Sequence, residues 1–218
     1  MSYIIKNPGV ILGLLLEHLQ MTGMAVLIAV AIALPVALLV TYYRWLNVPL
    51  LGFLGTLYTV PSLALMILLV PIFGLSRQLV VVAMIIYTQV ILVRNFSVGL
   101  QSIDPAILEA ARGMGMNPWQ RWWQIQMPLI LPICLAGVRL ATVVAIAIAT
   151  IGAKFGAGGL GVMLFEGVSQ ARNDKIFAGA IAVALLAFAM NGALLALEWL
   201  SNPARKIRRV SGVSVLTP

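Results

Sequence analysis

The sequence predicts an all-α integral membrane protein of about five transmembrane helices, and three observations carry that prediction. Hydrophobic residues make up 62% of the 218-residue chain and charged residues only 9%, far less charge than the surface of a soluble domain of this size needs. The apolar residues fall into runs long enough to cross a hydrocarbon core, which takes about 20 residues per helix. The alternating pattern of a barrel strand is absent, so each span must satisfy its backbone groups within a helix.

The runs cover roughly 21 to 42, 53 to 73, 78 to 96, 128 to 151 and 176 to 200. The weaker stretch from Val10 to Leu19 is short and carries Glu17 and His18, which predicts an interfacial segment over 1–20. Residues 21–200 then form the membrane domain, with a loop at 102–127, and 201–218 form a basic cytoplasmic tail. Lys6, Pro8 and the Glu17-His18 pair do not make the compact apolar core of a cleavable signal peptide, so the first span is expected to stay.

The net charge of +8 is spread beside the spans rather than gathered in one patch, which suits a lipid bilayer and not nucleic acid. With the amino terminus outside, Arg44, Arg94, Arg112, Arg121, Arg205, Lys206, Arg208 and Arg209 lie inside and Lys6, Arg77, Lys154, Arg172 and Lys175 outside. Eight against five favours N-out and C-in. That orientation puts the loop 102–127 in the cytoplasm and the glycine-rich stretch 152–175 outside.

The cytoplasmic loop is a polar island with its own helix signals. Asp104-Pro105 reads as an N-cap followed by proline in the first turn, and the helix it starts should stop at Gly113 or Gly115. Asn117-Pro118-Trp119-Gln120 reads as a second start with a variant capping box. The loop is thus expected to be two short helices in a hairpin, with Trp119, Trp122 and Trp123 at its membrane end and Pro128 at the mouth of the fourth span.

Elsewhere, Pro35, Pro61 and Pro71 invite kinks, and Tyr58, Thr59 and Ser62 add polar groups beside Pro61. Both a transport path and simple packing kinks fit those residues. Gly137, Ala141, Ala145, Ala149 and Ala153 recur every four residues, a small-residue row that lets helices approach closely; the interface lies within the subunit or between two subunits.

Arg139 falls near mid-membrane, and all six acidic residues fall in loops or near span ends, so no counter-ion is expected at its depth. Either carbonyls and hydroxyls of a neighbouring helix or second subunit hold it, or it is a gate that repels cations. Asn191 is expected in an interhelical hydrogen bond. Cys134 reads as an inert buried thiol. His18 reads as an interfacial polar contact beside Glu17 and not as a metal ligand, and no metal site is expected.

Gly156, Gly158 and Gly161 spell G-x-G-x-x-G, but they follow a membrane helix and not a strand, so a dinucleotide site is rejected for a re-entrant or outer turn. No G-x-x-x-x-G-K-[ST] occurs, so the chain has no P-loop of its own and is not expected to be an enzyme. A proton-coupled carrier would place Asp, Glu or His within its spans, and a membrane enzyme would show a metal constellation or a nucleophile with its base. A non-transporting scaffold accounts for the spans but leaves the polar loop unexplained.

Glu109, Ala110, Ala111, Gly115, Ile125 and Pro128 match the E-A-A-x-x-x-G-x9-I-x-L-P pattern, with Met127 in place of leucine, and on these residues the chain resembles the permeases of ABC importers. Val60-Pro61-Ser62-Leu63-Ala64-Leu65, Val70-Pro71-Ile72-Phe73-Gly74-Leu75, Glu109 to Gln120 and Gly156 to Gly161 extend the resemblance toward the permeases of osmoprotectant importers for glycine betaine, choline or carnitine. Methionine-importer permeases are the alternative.

The resemblance implies the type I importer permease fold, a bacterial inner-membrane location, two copies of a cytoplasmic ATPase that bind ATP and magnesium, a second permease subunit, identical or a sister, and an extracytoplasmic substrate-binding protein. It further implies ATPase coupling through Glu109, Ala110, Ala111, Gly113, Gly115, Met116 and Pro118. Tyr58, Thr59, Pro61, Ser62 and Arg139 stand for a path or gate, and Gly156, Gly158, Gly159 and Gly161 for a segment facing the binding protein.

Overall fold

The computed structural model describes residues 7–201, all of whose regular elements are helical. Lys6 and the basic tail with Arg205, Lys206, Arg208 and Arg209 lie outside the described residues. Helix α1 runs Pro8–Tyr42. Proline in its first turn costs no hydrogen bond, and the chain leaves it where Tyr43 N–H reaches the Leu39 carbonyl at 2.8 Å. The stretch from Val10 to Leu19, expected as a separate interfacial segment, is the N-terminal part of this one 35-residue helix. Its polar pair suits an interface, yet His18 is fully buried and Glu17 is engaged by backbone 142 residues away.

The second apolar run is not one helix. A short 3-10 turn at Arg44–Leu46 leads into α2, Asn47–Thr59, and α3 follows as Ser62–Phe73, bent by 94° from its predecessor. Val60 and Pro61 between them are extended (ψ 125° and 135°). A residue before proline is pushed out of the α region and proline cannot donate, so Pro61 ends a helix, whereas Pro35 and Pro71 sit inside continuing ones.

Gly74, at φ +63°, closes α3, and the Ser76 hydroxyl accepts from Leu79 N–H at 3.3 Å to cap α4, Arg77–Gln101. Two short helices come next, α5 at Pro105–Gly113 and α6 at Pro118–Arg121. A π turn at Trp122–Gln126 joins α6 to α7, Met127–Gly152. A 3-10 turn at Ala153–Phe155, α8 at Gly161–Ser169 and α9 at Asn173–Ser201 complete the described chain. Among the described residues four helices are long and apolar enough to cross a membrane, and the count is five when the bent pair is taken as one span.

Helix α4 is the central post, packed between α1 and α7, with α9 on the far side of α7. Small residues let these helices close on one another, since lipid offers no hydrophobic drive between them. Ala25, Ala29, Ala33 and Ala37 form a four-residue row on α1 with no exposed surface, and Gly137, Ala141, Ala145 and Ala149 of α7 are likewise buried. A Cβ at Gly137 would sit 2.6 Å from Asn95 Cβ. The row from Gly137 to Ala149 therefore packs inside the subunit, while Ala153, its expected fifth member, is half-buried in the 3-10 turn that follows. The Gln89 amide crosses the same seam to the Ala29 carbonyl at 3.2 Å. Helix α9 is loosely packed, with Lys175, Ala178, Gly179 and Leu186 its buried residues.

Candidate functional site

In the polar loop, Asp104 Oδ1 accepts from Ala106 N–H at 2.9 Å and starts α5. The helix stops in a Schellman turn: Met116 N–H reaches the Ala111 carbonyl at 3.1 Å, Gly115 N–H reaches that of Arg112 at 2.9 Å, and Gly115 takes φ +78°. That geometry gives the E-A-A-x-x-x-G spacing a physical cause, because the residue just past the cap must be left-handed and glycine is the residue that does so cheaply. Glu109, Ala110, Gly113, Gly115 and Pro118 are exposed, Met116 is half-buried, and Ala111 is fully buried. Glu109 and Ala110 thus present the surface of α5 while Ala111 anchors it.

Asn117 and Gln120 close the capping box, with both reciprocal bonds formed at 2.8 and 2.9 Å. The second helix of the expected hairpin is not a short element, however. It continues through the π turn into α7, so that 118–155 is one uninterrupted helical rod. Pro128 lacks the N–H that would reach back to Gln124, and the helix widens into a π turn just ahead of it. Trp119 and Trp123, exposed on this foot, meet edge to face at 5.5 Å.

At the opposite end, the glycine segment folds against α1. Gly156, Gly158 and Gly159 have φ near +78° (79°, 79° and 77°), and Gly159 N–H donates to Glu17 Oε2 at 2.9 Å. A Cβ on Gly158 would lie 2.5 Å from Glu17 Oε2, and one on Gly159 would lie 3.0 Å from His18 Nδ1. His18 is therefore a buried packing partner of the glycine turn and not the interfacial contact expected. Gly159 and Gly161 are buried, Gly158 is half-buried and Gly156 is exposed, so of these four only Gly156 offers an open outer surface.

A Cβ on Gly161 would run into the Thr150 carbonyl, which cannot swing away as a side chain could. Gly161→Ala should lower the thermal midpoint of the purified permease, by on the order of 2 kcal/mol of stability. Gly192→Ala, in open space on α9, should not; thermal scans of the two variants in one detergent check this.

Between the two ends, the break in the second span opens a cavity of about 350 Å³ that brings together Tyr58, Thr59, Pro61 and Ser62 with Tyr87 of α4, and with Val144 and Ile148 of α7. A second cavity of the same volume shares Tyr58 and Val144 with it and extends along α4 past Arg94 and Asn95. Sequence reasoning does not single out Tyr87 or Arg94 for a path. Their signal is their seven-residue spacing, which puts both on one face of α4. The hydropathy of the third run places Arg94 at a span end, but α4 continues to Gln101, which sets it roughly 10 Å inside that end.

Arg139 does not reach either cavity. Its Nε donates to Glu198 Oε2 at 3.2 Å and its Nη1 to Asn191 Oδ1 at 3.3 Å, so it has the counter-ion the sequence did not lead one to expect, and Asn191 makes the expected interhelical bond. Glu198 lies only three residues from the end of α9, but the arginine stem is long enough to reach down to it. Cys134 is half-buried among apolar neighbours beside α4.

A family model described as "Binding-protein-dependent transport system inner membrane component" matches residues 25–199. The chain is 35% identical over 206 residues to the osmoprotectant import permease protein OsmW of Salmonella typhimurium, covering 92% of this chain and 96% of that protein. It is 35% identical over 187 residues to the carnitine transport permease protein OpuCB of Listeria monocytogenes, covering 86% of each, and 33% identical over 211 residues to the choline transport system permease protein OpuBD of Bacillus subtilis, covering 96% and 92%.

Among solved structures, an inward-facing conformation of the MetNI methionine ABC transporter superposes with a TM-score of 0.78 over 88% of this chain and 96% of that one, at 20% identity. That likeness shows the fold. With the family match spanning most of its length and relatives above 30% identity covering nearly all of it, the chain belongs to the binding-protein-dependent transport system inner membrane components, the permease subunits of ABC importers.

Proposed function

We propose that this permease serves an ATP-driven importer of quaternary-amine osmoprotectants, the class of glycine betaine, choline and carnitine. The observation that carries the reading is that the relatives named for those solutes match along almost the entire chain. Energy arrives through α5. Its exposed Glu109 and Ala110 dock in a groove of a cytoplasmic ATPase, with small alanines allowing close approach and Gly115 and Met116 holding the helix in shape.

Two such ATPases bind the ATP and magnesium, and a second permease, identical or a sister, completes the membrane pore. A substrate-binding protein delivers the solute at the outer end, near exposed Gly156. Tyr58, Thr59, Pro61 and Ser62 line the path, and Arg139, paired and remote from the cavity, holds α9 to α7.

The test is uptake by the complete transporter in proteoliposomes, with radiolabelled glycine betaine, choline, carnitine and methionine offered separately. Accumulation of at least one quaternary amine, dependent on internal ATP and absent for methionine, is expected. Methionine uptake alone would overturn the substrate class.

A further inference from the structure

We infer that the cavity at the break of the second span is a subsite where the quaternary ammonium group of the substrate rests in transit, held by the rings of Tyr58 and Tyr87. The inference rests on the osmoprotectant reading above and adds to it a place and a chemistry within the permease itself.

Tyr87, which lines this cavity, carries a polar group that the fold does not use. Tyr87 is only 7% exposed, yet its hydroxyl has no hydrogen-bond partner among the described residues. An unpaired buried hydroxyl costs about 1–3 kcal/mol, a cost that packing alone would avoid with phenylalanine. The Tyr58 ring approaches from the other helix, with centroids 5.7 Å apart and planes tilted by 60°. Two electron-rich rings from separate elements thus converge on a space of about 350 Å³, the lower end of the range that holds small ligands.

The chemistry of the lining selects among cations. No carboxylate borders the cavity, so an ammonium that must donate hydrogen bonds finds no ionic partner. A quaternary ammonium has no N–H to satisfy and is attracted to the faces of aromatic rings within about 6 Å. Helix α2 also ends here at Thr59, and a helix C-terminus carries partial negative charge that favours a cation nearby. On the cytoplasmic side the adjoining cavity carries Arg94, which repels a cation and keeps it at the tyrosines until the path rearranges.

The two rings sit on elements that can move apart. Tyr87 belongs to the central post α4, while Tyr58 lies in the last turn of α2, one residue before its end and the extended hinge at Val60-Pro61. Rotation of α2 about that hinge parts the rings and releases the cation.

The experiment uses the complete transporter in proteoliposomes, with radiolabelled choline and glycine betaine at saturating binding protein. Tyr87→Leu and Tyr58→Leu each remove a ring and should lower uptake about tenfold. Mono-, di- and trifluorinated phenylalanine at position 87 weaken the ring face stepwise while hardly changing its size, and uptake should decline in that order. Leucine variants that transport normally, or a fluorine series that stays flat, overturn the subsite alone. A wild-type transporter that takes up no quaternary amine overturns the substrate reading and the subsite with it.

Discussion

In the assembled transporter, Gly115→Val cuts ATP-driven uptake by about tenfold or more, with the permease still inserted at its normal level. The cause is backbone and not bulk, since a Cβ at Gly115 meets nothing within 4 Å. What it meets is a φ of +78°. An L-residue pays about 1–2 kcal/mol in the left-handed region and a β-branched one pays more. The turn relieves that strain by giving up the Met116-to-Ala111 hydrogen bond, and the end of α5 is then no longer aimed.

A graded series makes the argument sharp. Asparagine tolerates left-handed backbone better than alanine, and alanine better than valine, so uptake should rank Gly, Asn, Ala, Val. Glu109→Lys is the complementary change. Glu109 is exposed and forms no salt bridge among the described residues, so reversing its charge leaves the subunit intact and acts only where a partner docks. Basal ATP hydrolysis that persists while uptake is lost is the expected signature. Full uptake by both Gly115→Val and Glu109→Lys would remove α5 from the coupling pathway.

What is legible in the sequence follows the range of the interaction concerned. Asp104, Asn117 and Gln120 cap helices through bonds spanning two or three residues, so the caps of the polar loop can be read from neighbouring residues alone. The spans are legible because length and apolarity are local sums. The break at Pro61 is legible only as a kink; whether a proline bends a helix or ends it depends on whether neighbours leave room for extended backbone on both sides.

Glu17 and His18 mislead, because two polar residues in an apolar run look like an interface until a turn 142 residues away supplies a backbone N–H and a glycine without a side chain. Tyr87 looks like one more apolar residue of a span, and only the fold brings it opposite Tyr58. The alanine row of α1 is as regular as that of α7 but lies in a run so uniformly apolar that its spacing does not stand out, although both rows are buried against the same post.

Breaking the Arg139–Glu198 pair should loosen the permease more than removing it altogether. The two side chains retain 30% and 26% of their surface in the isolated subunit, but what adjoins that surface in a bilayer is hydrocarbon or a neighbouring helix, where screening by water and salt is weak. Glu198→Ala then leaves a guanidinium with the Asn191 side-chain amide oxygen, Oδ1, as its remaining partner. An arginine within a span costs about 2.5–3.5 kcal/mol by insertion scales, and snorkelling returns part of it, so a net loss on the order of 2 kcal/mol is expected.

Helix α9 is the element that should respond, because so little of it is buried. Protease accessibility of α9 and the thermal midpoint in a fixed detergent both report on it. Arg139→Leu combined with Glu198→Leu removes both charges and should recover most of the lost stability, as apolar replacement of a buried pair often does; exchanging the two residues should do the same. Strictly additive losses in the double-leucine variant would show that the pair is not a unit. The same variant separates structure from gating: a stable double-leucine permease that imports at the wild-type rate means that the charge of Arg139 is spent on holding α9 against α7, and that the cation barrier on this path must be sought at Arg94.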